Sequence, residues 1–201
     1  MKKLEEFKRH LKPGRAYRRA DLVRWSSSVD RHLQQLVENG TLKKLAGGLY
    51  VYPKKIVFGP TPASDKDVVS VFLKNDPFLL ASPNAYNGLG VGTTQLYNKT
   101  AVYNHKRHGR FRLGNHKFAF RVKSRFPRML TKEFLFVDLV NNVDQLAEEK
   151  EKVLERVKQQ VMKLDQARLR RNVREYGNER TKKYFGRLLE MTELHDALGW
   201  R

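Results

Sequence analysis

The sequence contains no cysteine, which removes a disulfide scaffold, a thiolate zinc site and a cysteine nucleophile from consideration. It also lacks any apolar run near the ~18 residues that a membrane-spanning helix needs, so no membrane partner is expected. The opening Met1-Lys2-Lys3-Leu4-Glu5-Glu6 turns acidic where a secretory leader would carry its apolar segment, and the expected location is cytoplasmic. Negative charge is scarce: 201 residues carry 21 Asp and Glu against 41 Lys and Arg, a formal charge of +20. Between Asp76 and Glu133 no acidic residue stands at all, among eleven lysines and arginines. Hydrophobic residues still make up 40% of the chain, which excludes a wholly disordered basic tail. A foldable chain with a strongly positive field suits polyanion partners, because each phosphate neutralised by Lys or Arg releases condensed counterions.

What is present reads as three segments of an α+β protein. In the first, Leu4, Phe7 and Leu11 share one face of a helix over 2–11, ended by Pro13-Gly14. A second helix is expected over 18–24. The Ser26-Ser27-Ser28 cluster offers N-cap hydroxyls for a third helix over 29–38, with Val29, Leu33, Leu36 and Val37 as its buried stripe and Asn39-Gly40 as its stop. Strands over 41–45 and 49–52 join at Gly47-Gly48, and Pro53 closes the unit. Three helices and a hairpin in that order spell an N-terminal winged helix-turn-helix over residues 1–58. Gly59-Pro60-Thr61-Pro62 reads as a linker into a mixed α/β domain over 59–147. That domain should hold a helix at 65–74, a strand at 78–81, a helix capped by Ser82-Pro83, strands at 100–103, 111–113 and 117–122, and a helix capped by Thr131. Residues 148–201 form a helical C-terminal tail, net +4, whose mixed charge reads as a solvated face. Its Val153, Leu154, Val157, Val161 and Leu164 serve either as a dimer seam or as cover for the core.

Duplex DNA is the partner this pattern favours. On the third helix Ser27, Arg31, Gln34 and Gln35 project opposite the apolar stripe, with Ser28 and His32 at its margins. Arg can bond guanine O6 and N7, and Gln adenine N6 and N7, each through two contacts, so Ser27, Ser28, Arg31, Gln34 and Gln35 are the candidate base-reading residues. Asp30 and Glu38 repel phosphate and belong at the flank. Arg15, Arg18 and Arg19, placed at the start of the second helix, are candidate backbone contacts, as are Lys43, Lys44, Lys54 and Lys55 on and after the hairpin. A second basic surface is expected from the acid-free stretch: Lys106, Arg107, Arg110, Arg112, Lys117, Arg121, Lys123, Arg125 and Arg128.

Several motifs resemble a known family. They are Gly14-Arg15-Ala16-Tyr17 with Asp21-Leu22, the run from Val29 to Leu42, Gly47-Gly48-Leu49-Tyr50, Ser82-Pro83-Asn84-Ala85-Tyr86-Asn87-Gly88-Leu89-Gly90, and Leu130 to Leu139. Over roughly residues 10–147 the chain resembles the AbiEi-type antitoxins and regulators of bacterial type IV toxin–antitoxin systems. The resemblance is good over the first segment and rests on motif order after it. It implies a repressor of its own operon, binding inverted repeats as a possible dimer on DNA. It further implies functional pairing with a nucleotidyltransferase-like toxin, antitoxin activity in the later domain, and base reading at Ser27, Ser28 and Arg31. The tail has no counterpart in that resemblance.

Other chemistry finds less support. His105, His108 and His116 lie in the acid-free stretch, which supplies no carboxylate as a further ligand or general base, so no metal, cofactor or catalytic set is expected. Gly88-Leu89-Gly90-Val91-Gly92 lacks the setting of a phosphate loop and reads as a turn after a helix. Tyr97 or Tyr103 could stack on an exposed base. The rival to DNA binding is an RNA-binding module centred on residues 99–128.

Overall fold

The computed structural model describes residues 2–56, 59–61 and 63–197. It is a mixed α and β protein with helices at its C-terminal end. The chain packs as two compact units, Met1–Phe78 with His105–Phe120 and Leu79–Asn104 with Arg121–Arg201. Neither boundary expected from sequence, at 58 and at 147, is where the packing divides. Residues 59–78 and the hairpin that follows His105 belong with the N-terminal elements.

The first unit opens with α1 (Lys2–Arg9), whose Phe7 is buried and whose extension places Leu11 in the same core. Strand β1 (Arg15–Arg18) follows, where sequence periodicity gave only a helix from 18. Four residues carry too little alternation to announce a strand; its partner makes it one. The helix expected at 18–24 is a single turn, α2 (Arg19–Leu22), followed by a 3-10 turn at Val23–Trp25. Helix α3 (Val29–Glu38) has the expected bounds, and Val29, Leu33 and Leu36 are buried with Leu22 and Leu42. Strands β2 (Lys43–Ala46) and β3 (Leu49–Tyr52) pair antiparallel, and β1 pairs with β3 from Arg15↔Tyr52 to Arg18↔Leu49, giving the order β1-β3-β2.

Gly59–Thr61 of the expected linker form β5 instead, which pairs antiparallel with β4 (Lys54–Ile56); Pro62 lies outside the described residues. Helix α4 (Asp65–Phe72) begins where the Ser64 hydroxyl accepts from the Asp67 amide. Asp67 then ties α4 back to β1, accepting from the Ala16 amide at 2.6 Å and from Arg15 at 3.2 Å. Those two bonds are one reason the unit does not end at 58. The hairpin joins the unit through aromatic packing. Phe111 and Phe120, on the facing strands described below, lie 5.3 and 5.2 Å from the Phe72 ring of α4.

In the second unit β6 (Phe78–Ala81) leads to a 3-10 helix at Pro83–Leu89, where the Ser82 hydroxyl accepts from the Asn84 amide. Gly90 and Gly92 then take φ of +71° and +75°, as a turn after a helix requires. Strand β7 (Thr100–Asn104) precedes the hairpin of β8 (Gly109–Leu113) and β9 (His116–Val122), the last two residues of which return to this unit. Helix α5 (Lys132–Asn142), capped by Thr131, is buried from Phe136 to Val140. The helical tail is broken into α6 (Lys150–Val161) and α7 (Gln166–Tyr176). The break comes where Asp165 accepts from the Arg168 amide and starts a new helix. Helix α8 (Glu179–Ala197) follows Gly177. Val153, Val157 and Val161 are buried with Leu169, Val173, Phe185 and Leu189, and Leu154 and Leu164 pack against them, so these tail residues cover their own core.

The deepest polar group of the second unit lies on α5. Asp138 accepts from the Tyr86 hydroxyl at 2.7 Å, the Tyr103 hydroxyl at 2.6 Å and the Asn142 amide at 3.1 Å. Burial raises its carboxyl above the ordinary value while the tyrosine donors pull it down. Among the described residues no helix is long and apolar enough to cross a membrane.

Candidate nucleic-acid interface

Helix α3 turns two different faces outward and inward. Ser27, Ser28, Arg31, Gln34 and Gln35 are all exposed, opposite the buried Val29, Leu33 and Leu36. Gln34 donates to Glu38 at 2.9 Å, one turn along. His32, expected at the margin, is instead buried at 4% exposure, its ring 5.4 Å from Phe7 and its Nδ1 3.0 Å from the Ser26 hydroxyl. Burial, with Arg31 beside it, lowers the His32 pKa. The serine cluster does not cap α3 as expected: Ser28 holds the N-cap position without a side-chain bond, and the Ser26 hydroxyl accepts from the Ser28 amide.

The three candidate phosphate-holding arginines each already hold a carboxylate. Arg19 grips Asp30 through two hydrogen bonds, at 2.6 and 2.5 Å, and this bonding keeps the Asp30 carboxyl below its ordinary range. Arg18 grips Asp21 at 2.9 and 2.5 Å, and Arg15 meets Asp67. Arg15 stands on β1, and Arg18 ends that strand as the N-cap residue of α2, which has only four residues, too short to present a row of free amides. Lys43, Lys44 and Lys54 are exposed, and the Lys55 side chain lies outside the described residues.

The β2–β3 hairpin has a neighbour that its sequence does not reveal. The Gly114 amide, at the β8–β9 turn, donates to the Leu45 carbonyl at 3.0 Å. The φ of Gly114 is +65°, which favours glycine there, and a Cβ would also come within 2.8 Å of a terminal methyl of Leu45, which would have to shift. Lys43 and Lys44 share a hollow of about 370 Å3 with Asn115 and His116. His116 Nδ1 lies 2.7 Å from Asp65, so a carboxylate from outside the acid-free stretch does reach one of its histidines. No three His, Asp or Glu side chains gather as a metal-binding group among the described residues.

The residues of the expected second basic surface divide between the two units. Lys106, Arg107, Arg110, Arg112 and Lys117 belong to the first unit, and Arg121, Lys123, Arg125 and Arg128 to the second. Within the β8–β9 hairpin Arg112 stands opposite Lys117 and Arg110 opposite Ala119, all four on the face turned away from the phenylalanines. Like charges directly opposite each other are destabilising, which an anion on that face would relieve. Lys106 pairs with Asp76 at 2.7 Å and Arg107 lies 4.6 Å over the Phe72 ring. Arg121 is a brace, donating to Asn142 and Gln145 at 2.5 Å each. Lys123 lies 5.7 Å from the Tyr103 ring; Arg125 and Arg128 are exposed. Tyr103 is buried on Asp138, which withdraws its ring from stacking, whereas Tyr97 is half-buried with its hydroxyl fixed between Glu148 and the Ala147 amide.

Comparison with protein-family models, with curated proteins and with solved structures found no match.

Proposed function

We propose that the chain is a DNA-binding transcriptional regulator whose first unit is a winged helix, with α3 reading bases in the major groove and the β2–β3 hairpin holding backbone. The observation that carries this is the exposed group Ser27, Ser28, Arg31, Gln34 and Gln35 on a helix whose opposite side is core. The order α1-β1-α2-α3-β2-β3, with β1 closing a three-stranded sheet, supports it. The arginines of β1 and α2 play a different part from the one expected of them: in the unbound chain they position the helices through aspartates, and phosphate contact falls to Lys43, Lys44 and Lys54. The motifs that resemble AbiEi-type antitoxins extend the proposal to an autorepressor at an inverted repeat, two copies per site, paired with a nucleotidyltransferase-like toxin.

Selection of bound sequences from a random duplex pool, followed by titration, tests the proposal. Arg31→Ala should weaken binding to the selected site by about 1–3 kcal/mol and relax the base preference at one position. Lys43→Ala with Lys44→Ala should weaken selected and random DNA alike and flatten the salt dependence. Equal losses on both DNAs for both variants would remove base reading from α3. Stronger binding of RNA at physiological salt, unaffected by Arg31→Ala, would replace the proposal with the RNA-binding alternative.

A further inference from the structure

The near-neutral charge of the tail hides a division. Residues 148–165 hold five basic and five acidic side chains, but residues 166–190 hold eight Lys and Arg against three Glu. Folding sorts those cations into two grooves along α8. One, of about 610 Å3, is lined by Arg170, Arg171 and Arg174 of α7 and by Lys182 and Gly186 of α8. The other, of about 620 Å3, is lined by Lys158 of α6 and by Arg180, Lys183 and Arg187 of α8. No carboxylate among the described residues lines either groove. Lys182 does pair with Glu179 at 3.2 Å, and Arg180 with Asp144, at their outer ends.

Gly186 is an independent observation. Glycine inside a helix is less stable than alanine, and tertiary packing usually explains its presence. Here a Cβ would meet nothing within 4 Å, so the chain's own packing does not require glycine. What the missing side chain leaves is a notch in the floor of the arginine-lined groove.

We propose that α8 is a second contact with duplex DNA, independent of sequence, in which each flanking groove takes phosphates of one strand and Gly186 admits the closest of them. The choice of DNA rests on the function proposed above; the choice of a duplex rests on the grooves. Single strands are held by exposed rings on which bases stack. The aromatic residue here, Tyr184, is half-buried and its hydroxyl donates to the Leu154 carbonyl at 2.7 Å. A helix is ~10–12 Å across, and the major groove, ~12 Å wide between its phosphate strands, admits one.

The test titrates the full chain with random-sequence duplex DNA at several salt concentrations. Arg171→Gln with Arg174→Gln should flatten the slope of log affinity against log salt by about 1.8, which is about a 12-fold smaller loss between about 50 and 200 mM salt. Gly186→Gln should fill the notch and weaken binding while the unfolding midpoint stays level or rises. An unchanged slope in the double variant overturns the proposal, as does tight binding by Gly186→Gln for the notch. Duplex RNA that binds through these arginines while duplex DNA does not overturns the assignment to DNA. Arg31→Ala judges α3 separately. If base preference survives that change while the double variant flattens the slope, the α3 reading fails and this one stands. Lost preference beside an unchanged slope leaves base reading with α3 and removes the contact along α8.

Discussion

The two units place their carboxylates differently. In the first, Asp21, Asp30 and Asp67 sit on arginines at or near the surface. In the second, Asp144, Asp165 and Glu179 likewise sit on surface cations, but Asp138 is withdrawn into the core to hold two tyrosines, and no acid among the described residues lines the grooves along α8. Net charge therefore misleads in both directions. Residues 1–60 carry +9, yet three of their arginines are already matched. The tail carries only +4, yet concentrates most of its cations around one helix. A surface for phosphate is defined by which charges lack a fixed partner, not by the sum over a segment.

The strongest way to break this contrast is at the buried carboxylate. Asp138→Ala leaves the Tyr86 and Tyr103 hydroxyls without their acceptor and should destabilise the protein by about 3–5 kcal/mol in denaturant unfolding. Asp30→Asn, at an exposed pair, should leave the unfolding midpoint unmoved. The pH dependence gives the same contrast with a sign. Burial raises the Asp138 carboxyl above its ordinary 3.8. The native state then holds the extra proton between the unfolded and folded pKa values, so its share of stability falls as pH rises from 3.8 through that interval. Asp138→Asn should flatten this part of the curve. A stability that instead rises through the interval and is insensitive to the substitution would show that Asp138 is not the buried acid described.

A smaller effect, on binding alone, comes from releasing a matched arginine. Asp30→Asn frees Arg19 and removes a negative charge from the first turn of α3. Affinity for random duplex DNA should rise, and the salt slope should steepen by about 0.9, one added phosphate contact. Selectivity for the preferred site should stay level, because the gain is shared by every sequence. An unchanged slope would mean that Arg19 lies outside the footprint and that the Asp30 clamp is purely architectural.

The sequence was legible where a period was long enough to repeat. Helix α3 has its expected bounds because Val29, Leu33 and Leu36 span two turns, and Thr131 and Ser82 announced their helices through hydroxyls that do accept the expected kind of amide. It was illegible where a distant partner decides. The strand Arg15–Arg18 exists because β3 pairs with it, and residues 59–61 of the apparent linker form β5, which pairs with β4. The Arg15 clamp was equally hidden, since Arg15 and Asp67 are 52 positions apart. The exposed face of α3 needed only helical projection. The grooves of α8 needed the α7–α8 packing, and the averaged charge of the tail concealed them.

The least disruptive variant separates the two roles that an acid can have in the second unit. Asp165 accepts from the Arg168 amide at 3.0 Å and so starts α7, and it pairs with the Arg168 side chain at 3.3 Å. It also stands five residues before Arg170, the first arginine of the α7–α8 groove. Asp165→Ala removes cap and charge together and should cost about 1 kcal/mol of stability. Asp165→Ser keeps a capping oxygen while removing the charge, so its stability should stay close to that of the parent. If phosphate is held along α7 and α8, both variants should bind random duplex DNA more tightly, since each loses a repulsive charge near the groove. Tighter binding by Asp165→Ala alone would trace the gain to a loosened helix, and the electrostatic contrast between the units would lose its support in the tail.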